Sequence, residues 1–301
     1  MANMASTNLE SQALRQFDRL LAKGELFWHE TEPRHIPCEP FDFEFHIATS
    51  LQKKPIDTTQ KKPTKNAFPE SEGDWTLGPI GNNHKLILNK FCVVRPQFVL
   101  PTNEYQPQSD ALNASDLDTG WEVLTRLRSA DDHDDKYMVI FNCGVEAGSS
   151  VGHKHLQCIP RPLCAKHRRK DFFRLLRSDG DGGVERVKGT PFEHAAVRLI
   201  TDDGKIAGRE LEEAYAKLRE LLGLRIEEGK VPPHNVLLTK WHLLVIPRRK
   251  AWINTDGADT VIAGNAAGMI GLVYTWSEEQ YKAWQDYGPM KALGELGVAK
   301  A

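Results

Sequence analysis

No apolar run in this 301-residue sequence approaches the roughly 18 residues that cross a bilayer, so it offers no membrane-spanning helix. The opening stretch MANMASTNLESQALRQFDRLL lacks an uninterrupted apolar segment, which argues against a secretory signal peptide. Cysteine is scarce: Cys38, Cys92, Cys143, Cys158 and Cys164 make an odd set of five with no C-x-x-C pair. A disulfide framework is therefore disfavoured and a reducing compartment is expected, the cytoplasm and also the nucleus. The sequon Asn113-Ala114-Ser115 then has no secretory context in which to act. Net charge is scarce too. With 39 basic against 41 acidic side chains the formal charge is -2, which argues against a chain that binds nucleic acid through a global positive field. Any anionic ligand must be met by local positive groups. Two phosphate-binding devices are absent as well, since neither G-x-G-x-x-G nor G-x-x-x-x-G-K-S/T follows a strand. No internal repeat of solenoid length is visible.

What is present suffices for a large core, because 40% of the residues are hydrophobic and the buried fraction of surface rises with chain length. Leu9, Ala13, Leu14, Phe17, Leu20 and Leu21 recur at helical spacing, and Thr7 with Glu10 reads as a capping box. Residues 52–81 are rich in Lys, Pro, Thr and Gly and read as a long irregular segment. LILNKFCVVRPQFVLP (86–101) and YMVIFNCGVEAG (137–148) read as strands ending in turns, with a helix over 115–127 between them. A Gly/Asp-rich loop follows at 178–191, then an amphipathic helix over 211–222, a strand pair or bent strand in NVLLTKWHLLVIP (235–247), and a last helix capped by Ser277 with Gln280. The alternation predicts an α+β fold built on antiparallel strands, not a doubly wound parallel sheet.

The stretch GSSVGHKHLQCIP (148–160) carries the chemistry. On a strand, the period of 2 places His153, His155 and Gln157 on one face and turns Lys154 and Leu156 to the other. Gly148, Ser149 and Ser150 lead into the strand with small side chains and accessible backbone N–H groups, which suit anionic oxygens. Three readings of the histidine pair compete. The bland one is a pair of hydrogen-bonded histidines on a sheet. A zinc site would need further ligands, and Cys158, Cys164 and His167 fall at C-x5-C-x2-H, outside the usual zinc spacings. The third is nucleophilic catalysis, in which a neutral imidazole attacks phosphorus while its other nitrogen is held by an acceptor.

GSSVGHKHLQ resembles the histidine-triad signature in its transferase variant, with glutamine in place of the last histidine. Together with LILNKFCVVRPQF, YMVIFNCGVEAGSSVGHKHLQCIPRP and NVLLTKWHLLVIPR, it resembles the fungal-type ATP adenylyltransferases, the diadenosine tetraphosphate phosphorylases, from about residue 50 to residue 275. The resemblance implies a histidine-triad-like (HIT-like) fold in which an N-terminal adenylyltransferase region (1–178), carrying the H-x-H-x-Q motif, and a C-terminal one (190–301) pack into one unit. It implies a reversible ping-pong reaction in which His155 attacks diadenosine tetraphosphate to give adenylyl-histidine and ATP, and inorganic phosphate takes the adenylyl group away as ADP. Gln157 stands where related hydrolases place a proton-donating histidine, and His153 supports the site. Asn89 is implied at the ribose, Asn142 in positioning the phosphate or His155, Gly148, Ser149 and Ser150 at the phosphate, and Thr239, Lys240 and Lys54 at the distal phosphates. The partners implied are small nucleotides and phosphate, without membrane or nucleic acid. No dedicated metal or cofactor site is implied, and magnesium would come with the polyphosphate. Monomer and dimer are both compatible.

Two positions depart from that pattern: Gln97 stands where relatives often carry histidine, and His242 stands where a larger apolar residue is expected. A galactose-1-phosphate uridylyltransferase-like activity is the alternative enzyme, weakened by Lys154 in the middle of its H-P-H motif and by the missing cysteine pair. A silent nucleotide-binding HIT-like module is the alternative outside catalysis. The basic run at 166–170 with Arg174 and Arg177 reads as the solvated face of a helix or as a polyphosphate attractor, and Arg248-Arg249-Lys250 reads the same way.

Overall fold

Leu9, Ala13, Phe17 and Leu20 are the residues that the first helix, α1 (Leu9–Ala22), buries against the main sheet. A large apolar side chain contributes roughly 1.5–3 kcal/mol on full burial, so this stripe accounts for the docking of α1. Its N-cap is Asn8, whose side chain accepts from the Glu10 N–H at 2.9 Å. Thr7, expected in that role, lies outside the described residues. The computed structural model describes residues 8–53, 68, 73–127, 136–161, 170–178, 183–200, 205–255 and 260–300.

After α1 come β1 (Arg34–Ile36), β2 (Phe43–Ile47), β3 (Thr76–Ile80), β4 (His84–Leu88) and β5 (Phe98–Pro101), then α2 (Ala114–Arg126), β6 (Tyr137–Cys143) and β7 (His155–Pro160). The chain continues through β8 (Arg177–Ser178), β9 (Val184–Arg186), β10 (Ala195–Arg198), α3 (Gly208–Leu221), β11 (His234–Leu238) and β12 (His242–Pro247). It ends with β13 (Trp252–Asn254), β14 (Val261–Ala263), α4 (Ala266–Met269), β15 (Leu272–Thr275), α5 (Glu278–Tyr287) and α6 (Pro289–Leu296). The fold is α+β, as the alternation of elements predicted.

Ten strands form one antiparallel sheet in the order β3-β4-β5-β7-β6-β11-β12-β10-β9-β8. Helices α1, α2 and α3 cover one face. The small sheet β1-β2-β15 and helices α4 to α6 pack on the other, around Phe43, Phe45, Trp284 and Leu293. The strand order reveals a duplication hidden in the sequence. Three strands, a helix and two strands occur twice (β3–β5, α2, β6, β7, then β8–β10, α3, β11, β12), and the halves join where β6 pairs with β11. The equivalent strands β7 and β12 read HLQCIP and HLLVIP, so His242 occupies in the second half the place of His155 in the first. Eleven residues separate β6 from β7, whereas three make the tight turn from β11 to β12.

Other expectations are modified. The stretch 86–101 is broken into β4 and β5 by a turn, and β3 lies within the segment expected to be irregular. Phe172, Phe173 and Leu176 are core residues, but they sit around a single turn of 3-10 helix at Phe173–Leu175. An amphipathic α-helix is therefore not what carries Arg174, and residues 166–169 of the basic run lie outside the described residues.

Lys154 points to the helical face, as the strand period requires, and it is 1% exposed. Its Nζ lies 2.6 Å from Asp116 Oδ2 and donates to the Ala111 carbonyl at 2.8 Å. Asp116 also closes the capping box of α2 with Asn113 and lies 3.1 Å from His84 Nε2. Burial pushes the Asp116 carboxyl up; the hydrogen bond to His84, the Lys154 charge and the Asn113 N–H outweigh it and hold the group below the usual carboxylate range. Lys154→Met leaves that carboxylate buried without its cation and is expected to cost about 3–5 kcal/mol. Urea unfolding measures this, and a loss below about 1 kcal/mol would contradict the pairing.

His234 ties β11 to α3: its Nδ1–H donates to the Pro232 carbonyl at 2.7 Å, and Tyr215 Oη lies 2.5 Å from Nε2. Burial pushes its pKa down to about 4, against 6.5 for an ordinary histidine. Above pH 6.5 both folded and unfolded chains hold the neutral ring. Below it the unfolded chain takes up a proton that the folded chain refuses, so stability falls as the pH drops toward 4, by about 3 kcal/mol from this residue. Burial shifts His153 the same way. Urea midpoints recorded between pH 7 and pH 4 should decline, and His234→Gln should flatten part of the decline.

Candidate active site

The loop from β6 to β7 turns at Gly144 and Gly148, whose φ values are +85° and +90°. A Cβ on Gly148 would stand 2.9 Å from both Asn265 Cα and the Gly264 carbonyl oxygen, so only glycine lets the loop close against that segment. Ser149 donates its hydroxyl to the Val151 carbonyl at 2.9 Å.

From this loop β7 delivers His155. Its Nδ1–H donates to the His153 carbonyl at 2.8 Å, which fixes the tautomer and leaves the ring lone pair on Nε2. The main chain of His155 is held by a residue that sequence reasoning missed. Gln108 accepts from the His155 N–H at 2.8 Å and donates to the Asn142 carbonyl at 2.9 Å, clamping β7 to β6 at the point where the nucleophile candidate stands. His153 is fully buried, its Nε2–H shared between the carbonyl and the hydroxyl oxygen of Thr102, both at 2.9 Å. Burial lowers its pKa and keeps it neutral.

A cavity of about 390 Å³ opens in front of His155. Asn89, Gln97, Gly148, Ser149, Ser150, His155 and Gln157 give it a polar floor, while Phe91, Val93, Trp252, Val261, Val273 and Trp276 contribute apolar wall. Its size and its mixture of flat apolar surface with convergent polar groups fit part of a nucleotide. Asn89 spends its Oδ1 on the Phe91 N–H at 3.0 Å, so its amide N–H2 is the group it can offer a ligand.

Behind the floor lies a second layer. Asn142 Oδ1 accepts from the Ala266 N–H and from Asn235 Nδ2, both at 2.9 Å, and Asn235 Nδ2 also donates to the Ala147 carbonyl at 2.8 Å. The guanidinium of Arg248, 3% exposed, donates to Asn235 Oδ1 at 2.7 Å. Arg248 is thus a buried strut and not part of a solvated basic run.

The structure brings together Asn89, Gly148, Ser149, Ser150, His155 and Gln157 and places His153 and Asn142 behind them. It does not bring Thr239 or Lys240 to the cavity. Antiparallel pairing sets Asn235, at the start of β11, beside Asn142, and carries Thr239 to the far end of the strand. There the Thr239 hydroxyl accepts from the Trp241 and His242 N–H groups and closes the turn. His242 lies away from the cavity, 3.0 Å from Glu185. Lys54 lies outside the described residues.

Known proteins share the sequence pattern and the fold. Residues 1–177 match the family model of the Ap4A phosphorylase N-terminal domain, and residues 188–299 match that of the ATP adenylyltransferase C-terminal domain. The chain belongs to the Ap4A phosphorylase family of nucleotidyltransferases. Within that family it is 28% identical over 300 residues to diadenosine 5',5'''-P1,P4-tetraphosphate phosphorylase 2 of Saccharomyces cerevisiae, covering 92% of this chain and 90% of that protein. Protein APA1 of the same yeast is 30% identical over 66% of this chain and 63% of its own length. The crystal structure of yeast Ap4A phosphorylase Apa2 shares the fold, with a TM-score of 0.79 over 99% of this chain and all of that one, at 24% identity. The structure of Apa2 in complex with Ap4A superposes with a TM-score of 0.76 at 25% identity over 99% of this chain. The chain described here shares the fold of that phosphorylase, and among its described residues no helix is long and apolar enough to cross a membrane.

Proposed function

We propose that the protein phosphorolyses diadenosine tetraphosphate, reversibly, through an adenylyl group carried on His155. The observation that carries this reading is the tautomer of His155, whose Nδ1–H is committed to the His153 carbonyl at 2.8 Å in a ring that lines the nucleotide-sized cavity. Nε2 attacks the phosphorus of an adenylyl group. A P–N bond forms, the bond to the bridging oxygen breaks, and ATP leaves. An oxygen of inorganic phosphate then attacks the same phosphorus, the P–N bond breaks, and ADP leaves with the neutral imidazole restored.

Both leaving groups in this cycle are weakly basic, a polyphosphate in the first step and an imidazole in the second. The first departs as an anion without a proton from the enzyme. An amide at Gln157 therefore suffices: it stabilises the non-bridging oxygens and has no proton to lend to water or to an alkoxide. Ser150 supplies its N–H and hydroxyl on the floor, because the Gly148 and Ser149 N–H groups are bonded to the Val145 and Gly144 carbonyls, against the expectation that all three would serve the phosphate. Asn89 is assigned to the sugar. Magnesium, where it accompanies the polyphosphate, is held by the phosphates of the substrate. Incubation with diadenosine tetraphosphate should yield ATP plus ADP only when phosphate is present. Cleavage by water alone would overturn the reading. The relatives named above as phosphorylases lend it support.

A further inference from the structure

We propose that Gln97 is a positioning residue that decides which end of the Gln157 amide faces the substrate. Gln97 stands just before β5, 5% exposed, at the edge of the cavity. Its Oε1 lies 3.0 Å from the backbone nitrogen of Val93, and its Nε2 lies 3.0 Å from Gln157 Oε1. A backbone N–H can only donate, so the oxygen of Gln97 is pinned to Val93 and its N–H2 end must point at Gln157. An N–H2 group cannot accept, so Gln157 must answer with its oxygen. The N–H2 of Gln157 is then turned toward the cavity beside His155. One fixed polarity is passed from the main chain through two amides to the place where phosphate oxygens gather. Reversing either amide sets donor against donor in a buried site.

The inference rests on the adenylyl-transfer reading, and Gln97→Glu separates the two. A carboxylate keeps the contact to Val93 but offers Gln157 only an acceptor, so Gln157 turns round and presents its carbonyl oxygen to phosphate. At pH 8 the variant should lose about a hundredfold in kcat relative to wild type, the scale of one lost oxyanion donor, at a temperature where thermal melts show both proteins folded. Between pH 8 and pH 5.5 the buried carboxyl becomes protonated and donates again, so the ratio of variant to wild-type rate should recover. Gln97→Met leaves the amide unfixed and should lose about tenfold with no acid recovery. A purely structural residue would give losses that disappear at temperatures where each variant is fully folded.

AMP binding by calorimetry reads the same orientation without catalysis. Weaker binding by Gln97→Glu at pH 8 that recovers at pH 5.5 supports the role of Gln97 even where wild type fails to turn over diadenosine tetraphosphate, an outcome that sinks only the reaction. Equal kcat and equal AMP affinity for Gln97→Glu and wild type at pH 8 overturn the positioning role alone. Failure of the wild type to bind AMP overturns both.

Discussion

His155→Asn is expected to lower phosphorolysis by at least about ten-thousandfold, in line with the loss of a covalent nucleophile, while shifting the melting temperature by no more than about 2 °C. The separation of effects follows from the two nitrogens of the ring. Nδ1 makes a structural hydrogen bond, 2.8 Å to the His153 carbonyl, and an asparagine amide placed there can donate in its stead. Nε2 supplies the lone pair, and an amide nitrogen has none to give because it is delocalised into the carbonyl. The clamp from Gln108 acts on the main chain and survives the substitution. Initial rates with saturating phosphate, set beside thermal melts of the same preparation, make the comparison. An asparagine variant that keeps more than about one hundredth of the rate would remove His155 from the mechanism, since it is the imidazole among the described residues lining the cavity.

The part of this site that could be read from sequence is the part built locally. Period 2 along HKHLQ puts Lys154 on one side and His155 with Gln157 on the other, and the structure has Lys154 in the helical core and the other two on the cavity. The glycine and serines before the strand are likewise on the floor because they adjoin it in the chain. Contacts made across the sheet were not readable. Gln108 is 47 residues from His155, and nothing in PQSD marks it as a clamp. The family resemblance implies Thr239 and Lys240 at the distal phosphates; antiparallel register decides which end of β11 meets Asn142, and it brings Asn235 there. Arg248 looked like one of three basic residues on a surface. Its burial depends on α6 and the segment before α4 folding over it, far along the chain. The duplication was hidden for a related reason. The two halves keep strand order while their sequences diverge, and the loop that makes one half chemical is a three-residue turn in the other.

Arg248→Met should therefore damage both stability and catalysis, although Arg248 does not line the cavity. Its Nη1 donates to Asn235 Oδ1 and to the Ala147 carbonyl, Nη2 to the carbonyls of Lys250 and Gly264 at 2.8 Å each, and Nε to the Leu296 carbonyl at 3.1 Å. Burial lowers the pKa to about 9, which still leaves the guanidinium charged at neutral pH. Methionine fills much of the same volume and donates to none of these oxygens. Stranding several buried acceptors at once is expected to cost about 3–5 kcal/mol in urea unfolding. Catalysis suffers because two of the acceptors flank the closest approach in the site. Ala147 precedes Gly148 in the loop, and Gly264 belongs to the segment against which a Cβ on Gly148 would collide. One side chain thus holds both sides of the contact that shapes the phosphate floor, and its loss should lower kcat about tenfold or more at temperatures where the variant remains folded. Arg248→Lys keeps the charge but cannot reach all five acceptors with three donors, so it should fall between the two. An unchanged urea midpoint for Arg248→Met would contradict the strut. A large stability loss with wild-type kcat would show instead that the loop keeps its shape without it.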